Sequence, residues 1–181
     1  MVDINFVTEW SARYPIDYDI NYYNPYLTRA RARDGDIVAL RRITEWKNVG
    51  KGLRPMPLSK TKELAFQFFL HNLNEYLHPN GWHILRDQFQ WRAPVYSIFW
   101  HHVLFGTPIF DVYTNIAFHY DCSGNIITKK EAKIKVPSHW NLYDRYSEWF
   151  NNTLTCLRTR NPQVTERDLD RALFKWGEAH S

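Results

Sequence analysis

The sequence predicts an all-α protein, a compact helical domain of about seven helices. Apolar residues recur at helical spacing through most of the chain, as Val95, Ile98, Phe99, His102 and Val103 do at i, i+3, i+4, i+7 and i+8. Helix-start signals precede such stripes. The clearest is the capping box of Thr165 and Asp168 ahead of Leu169, Ala172, Leu173 and Trp176. Strand-like alternation rises above the helical pattern only weakly, near residues 125–135.

Residues 1–34 read as an aromatic N-terminal arm packed on the domain, irregular apart from one short helix. Pro15, Pro25, Asp3, Asp17 and Asp19 alternate there with Trp10, Tyr14, Tyr18, Tyr22, Tyr23 and Tyr26. Residues 35–181 are expected to form a single helical domain. Asp34-Gly35-Asp36 signals a helix start, Ile37, Leu40, Ile43 and Trp46 carry its stripe, and Asn48 ends it before Gly50 and Gly52. Ser59 opens a helix to Leu77 that is apolar nearly all round, the expected central buried helix. Asn80 caps a short helix over Gly81–Gln88.

Two helices separated by Gly106-Thr107-Pro108 occupy the stretch from Gln90 to Asp121. Thr107 suits an N-cap and Pro108 the first helical position, which puts Asp111 in the first turn, off the face formed by Ile109, Val112, Ile116 and Tyr120. Cys122 to Lys135 is a lysine-rich loop with weak hairpin character. Tyr143, Tyr146, Phe150, Leu154 and Leu157 mark a helix that ends by Pro162, and the capped helix after Thr165 closes the chain.

Composition bounds the class. With 44% hydrophobic and 23% charged residues, the 181-residue chain has the make-up of one soluble globular domain. No signal-peptide core and no apolar run near 20 residues is found, so a cytoplasmic location is expected, nucleoid-associated in a prokaryote. Cys122 and Cys156 are then free thiols, and without Cys-x-x-Cys neither structural zinc nor a cysteine-bound cluster is expected. The net charge of +4 permits nucleic-acid binding without demanding it, and 17% aromatic residues suit either core bulk or a surface that stacks on flat ligands.

Several residue groups can carry chemistry. A carboxylate such as Asp111 at a helix start is ordinarily favoured by the helix dipole. Beside a pocket it can act as a general base or stabilise developing positive charge. Lys47, at the end of a helix after Trp46, either complements the dipole or shares a pocket with that indole. His101, His102, His119 and Cys122 are candidate ligands, but adjacent helical histidines project about 100° apart and His102 lies on the apolar stripe, so no metal is expected. Basic residues form three groups: Arg29, Arg31, Arg33, Arg41 and Arg42; Lys47, Lys51, Arg54, Lys60 and Lys62; and Lys129, Lys130, Lys133 and Lys135. With aromatics nearby they suit a surface that follows phosphates.

The run Pro94-Val95-Tyr96-Ser97-Ile98, an apolar helix, and then Phe105-Gly106-Thr107-Pro108-Ile109-Phe110-Asp111 resembles the second half of a helix-hairpin-helix DNA glycosylase. The superfamily includes the 8-oxoguanine and adenine glycosylases. The likeness is close over about 30 residues and looser over the helical layout. It implies a helix-hairpin-helix glycosylase-like fold, a double-stranded DNA partner, a monomer, no cofactor, and Asp111 as the catalytic aspartate that supports cleavage of the N-glycosidic bond. The family's hairpin is glycine-rich, whereas Phe89-Gln90-Trp91-Arg92-Ala93-Pro94 holds no glycine, so Gln90 and Arg92 stand in as side-chain donors to phosphate. Arg92, Ala93 and Pro94 occupy the place of the Schiff-base lysine of bifunctional members, which implies a monofunctional enzyme with water as nucleophile. Trp91 is then the candidate wedge, Trp46, Lys47 and Tyr113 the base pocket, and Lys129, Lys130 and Lys133 further DNA contacts. A damaged base or a hypermodified base such as those of phage DNA fits as substrate. A non-catalytic helical DNA-binding module and a helical interaction protein are the alternatives.

Overall fold

The computed structural model describes residues 2–15, 28–48 and 56–181, which form ten helices and no strand. They are α1 (Ile4–Ser11), α2 (Thr28–Arg33), α3 (Ile37–Lys47), α4 (Lys60–His71), α5 (Leu73–Tyr76), α6 (Gly81–Gln88), α7 (Pro94–Phe105), α8 (Val112–Ser123), α9 (His139–Arg160) and α10 (Glu166–Ala179). The all-α expectation holds. The chain gathers into two compact units, one of residues 1–15 with 108–181 and the other of residues 16–107.

The unit of residues 16–107 is built on α7. Its residues from Ser97 to Leu104 are all buried, and Trp100 lies at the centre of an aromatic cluster. Its ring stacks on Phe69 at 4.5 Å and meets Phe89 edge-on at 5.3 Å. A buried indole N–H needs an acceptor. Thr44 supplies it at 3.1 Å and in turn donates to Leu40 O at 2.7 Å. Helix α3 begins where expected, with the Asp36 carboxylate accepting from Ala39 N at 3.0 Å.

The expected Ser59–Leu77 helix is not continuous. It breaks at Asn72, whose side-chain amide donates to Phe68 O at 2.8 Å, and a short α5 follows. Of α4 only Phe66 and Phe69 are buried, while Leu64 is 64% exposed, so the central helix is α7 and not this one. Helix α6 has the expected bounds, but the Asn80 side chain makes no capping bond. Five residues, Phe89 to Ala93, then turn the chain into α7.

The other unit packs α8 against α10 and α9. Gly177 of α10 lies so close to α8 that a Cβ there would fall 2.0 Å from Tyr113 O. Tyr120 stacks on Trp176 at 4.8 Å, and Tyr146 of α9 stacks on Phe110 at 4.4 Å. Helix α1, which the sequence suggests only as one short helix in an arm, is capped by Asp3 accepting from Phe6 N at 2.8 Å. Residues 124–138 form no hairpin. Thr128 and Glu131 close a single turn, Ala132 and Ile134 are buried, and Asn115 of α8 fixes the loop by donating to Ala132 O at 2.9 Å.

The α7–α8 connection corrects the expected helix start. Thr107 and Pro108 are not helical; α8 begins at Val112 with Asp111 as its N-cap. Gly106, at φ 73°, ends α7, and both histidine rings of its last turns bond to Thr107, His101 Nδ1 at 2.9 Å to its hydroxyl and His102 Nδ1 to its carbonyl. Thr107 is thereby committed to α7. Tyr143 holds the following residue by donating to Pro108 O at 2.9 Å.

Candidate functional site

Asp111 has the extended backbone of an N-cap, and its Oδ1 accepts from Tyr113 N at 3.0 Å and Thr114 N at 3.1 Å. Thr114 closes the reciprocal bond, its hydroxyl accepting from Asp111 N at 2.8 Å. The sequence alone hides this box, because Thr107-Pro108 offers a competing start and Thr at the third position is a weaker signal than Glu or Gln. Asp111 is 8% exposed, against the expectation that it lies off the buried face. Its neighbours Ile109 and Phe110 are buried as well, as loop residues.

The surroundings of Asp111 within its unit are aromatic and acidic. Tyr146 is fully buried, and burial, followed by the nearby Asp170 and Asp111 carboxylates, pushes its phenol well above the ordinary tyrosine range. The Thr114 hydroxyl acts in the opposite sense. Asp170, 7% exposed, pairs with Arg167, whose other terminal nitrogen donates to Tyr14 Oη at 3.3 Å. The sequence reading missed Asp170, Arg167 and Tyr14 as a group. The signal was present for Asp170: it lies three and seven residues before Leu173 and Gly177, on the packed face of α10. A carboxylate held at a helix N-terminus, with little water around it, can stabilise a cation or take a proton from a nearby water.

Tyr113 and Lys129, two predicted contacts, come together. Lys129 Nζ donates to Tyr113 Oη at 2.6 Å and stands 4.5 Å from the ring centroid, while the ring meets Phe174 edge-on at 5.0 Å. Lys129, Lys130 and Lys133 are exposed.

The remaining predicted residues lie in the other unit. Trp46 is buried and stacks on Phe99 at 5.9 Å, and Lys47 Nζ lies 5.7 Å from the same ring. Gln90, Trp91 and Arg92 are exposed on the turn between α6 and α7, Trp91 at 67%, and the Arg92 guanidinium sits 4.4 Å over the Phe68 ring. Ala93 has a left-handed backbone at φ 43° and ψ 50°. That conformation is uncommon for a residue with a Cβ. Two of the grouped arginines form ion pairs, Arg31 with Asp36 and Arg41 with Glu63. Lys51, Arg54 and the Arg29 side chain lie outside the described residues, as do Asp17, Tyr18, Asp19, Tyr22, Tyr23, Pro25, Tyr26, Gly50 and Gly52.

Among the described residues no group of three or more His, Cys, Asp or Glu side chains is placed to hold a metal ion, and no helix is long and apolar enough to cross a membrane. No family model, curated protein or solved structure matches the chain.

Proposed function

We propose that the chain is a monofunctional DNA N-glycosylase that takes a damaged or modified base out of duplex DNA and hydrolyses its glycosidic bond, with Asp111 as the key carboxylate. One observation carries this reading: the order of local structures around Asp111. Two helices, α6 and α7, are joined by a five-residue turn with a left-handed Ala93; a loop containing Pro108 follows, and a buried aspartate stands at the start of the next helix. That is the order the helix-hairpin-helix glycosylases use. In such a reaction the leaving base carries off the bonding electrons, and the sugar passes through an oxocarbenium-like state that a nearby carboxylate stabilises. The oxygen of a water then bonds to the anomeric carbon, and the proton that water releases neutralises the departed base. Exposed Gln90, Trp91 and Arg92 on the turn, and Lys129, Lys130 and Lys133 in the other unit, are the proposed DNA contacts.

The test is to incubate the protein with duplexes carrying varied modified bases and to cleave any abasic sites with alkali. Base release that falls at least ~100-fold in Asp111→Asn, with DNA binding retained, supports the reading. Release undiminished in Asp111→Asn removes the catalytic assignment. A second reading has its own observation: Asp111 already serves as a cap for two backbone amides, which suits a DNA-binding module that keeps the scaffold without chemistry. Salt-dependent duplex binding with no release on any base supports that module.

A further inference from the structure

Helix α4 carries more apolar surface than its own unit covers. It buries Phe66 and Phe69, yet Leu64, Ala65 and Phe68 form the wall of a cleft of about 500 Å³ whose other side is Arg92 to Tyr96, the end of the turn and the start of α7. The volume lies in the range of small-molecule sites, and the walls are almost entirely carbon, with Phe68 and Tyr96 offering ring faces. Two cations border it. The Arg92 guanidinium lies over Phe68 at 4.4 Å, and Lys62 Nζ stands 5.4 Å from the Tyr96 ring and donates to Asn48 Oδ1 at 2.5 Å. Neither is in an ion pair among the described residues.

We propose that this cleft binds a small organic anion with an apolar body, its carboxylate or sulfonate head on Arg92 and its body against Leu64, Phe68 and Tyr96. The planar guanidinium matches an acidic head through paired N–H donors. Lys62 adds positive potential that no ion pair among the described residues cancels. A nucleotide fits less well, because the carbon walls leave the hydrogen-bonding edges of a base unpaired, at a cost its stacking does not repay. The site shares Arg92 with the proposed DNA contacts but needs neither Asp111 nor DNA, so its binding test does not depend on the glycosylase reading.

The probe is 8-anilinonaphthalene-1-sulfonate, titrated by fluorescence into the full chain. Saturable enhancement that octanoate displaces, and that octan-1-ol at equal concentration displaces far less, is the expected result. Arg92→Gln combined with Lys62→Gln weakens binding about 5- to 10-fold. Leu64→Glu, at an exposed position where the fold survives, weakens it about tenfold or more through a like charge beside the head. Circular dichroism of each variant confirms that the fold is kept. The proposal is overturned if no saturable enhancement occurs, if the double variant binds as the parent does, or if octan-1-ol or thymidine 5′-monophosphate displaces the probe as well as octanoate.

Discussion

At Asp111 a helix cap and a candidate catalytic carboxylate are the same side chain, and substitution separates the two roles. The cap needs an oxygen that accepts from Tyr113 N and Thr114 N; the chemistry needs a negative charge. Asparagine keeps the first and removes the second. Asp111→Asn is therefore expected to unfold in urea within ~0.5 kcal/mol of the parent, while Asp111→Ala, which strips the two amides of their acceptor, loses about 1–2 kcal/mol. Equal stability of the two variants would show that the cap contributes little. Left-handed Ala93 supplies the second test at this scale. Alanine to glycine within a helix ordinarily costs about 1 kcal/mol, but here the substitution relieves a strain of about 1–2 kcal/mol against an unfolded-chain entropy cost of about 0.4–1 kcal/mol. Ala93→Gly should thus leave stability unchanged or raise it, by as much as about 1.6 kcal/mol in a urea titration. A loss of 1 kcal/mol would show that Ala93 is not in the left-handed region.

Among the elements, Gly177 shows how tightly α10 is set against the start of α8. Glycine to alanine in a helix should stabilise by about 1 kcal/mol, yet a Cβ at this position meets Tyr113 O at 2.0 Å, a backbone atom that cannot rotate away. Overpacking of this kind costs about 1–3 kcal/mol and shifts the backbone beside Asp111. Gly177→Ala is expected to lower the urea midpoint and to reduce any base release together with it; a raised midpoint would contradict the close approach. No periodicity announces this glycine, because helical patterns report which face is buried and not how near the facing backbone stands. The same limit explains where the sequence was legible. The starts of α3 and α10 follow from side-chain caps that act within one turn, whereas α6 and the body of α9 follow from their apolar stripes without a side-chain cap. The break at Asn72 and the late start at Asp111 arise from side chains that bind backbone carbonyls and amides in competition with the helix, the first bonding Phe68 O and the second capping α8. Of the candidate site, Asp111 was legible as a residue at a helix start. Its burial beside Tyr146 and Asp170 was not, because those neighbours come from α9 and α10, far along the chain.

For the whole molecule, pH tests the folded state from both sides. On the acid side the Arg41 guanidinium, followed by the Gln67 amide, draws the Glu63 carboxyl from 4.5 down to about 2. A depressed carboxylate gives stability that is present above pH 4.5 and lost as pH falls through about 2. The Arg41 and Glu63 side chains are 33% and 35% exposed, so solvent screening limits the pair to about 0.5–1 kcal/mol. Thermal midpoints should decline over that window, and Glu63→Gln should flatten the decline. On the alkaline side the phenols that the fold shields from water act. Burial raises Tyr96 from 10.0 to about 12, and it raises Tyr76 in the same unit and Tyr146 in the other. A phenol held neutral by the fold gives stability that is complete below pH 10 and lost as pH rises through about 12, because the unfolded chain releases the proton first. Ultraviolet titration should therefore show these phenols still protonated while helical circular dichroism holds. A steep rise in tyrosinate should then coincide with loss of helix. Because these phenols lie in both units, that rise reports on each, and Tyr96→Phe removes a contribution from one unit only. Smooth ionisation of these three phenols with the helices intact would contradict the burial of Tyr76 and Tyr146 and the partial burial of Tyr96.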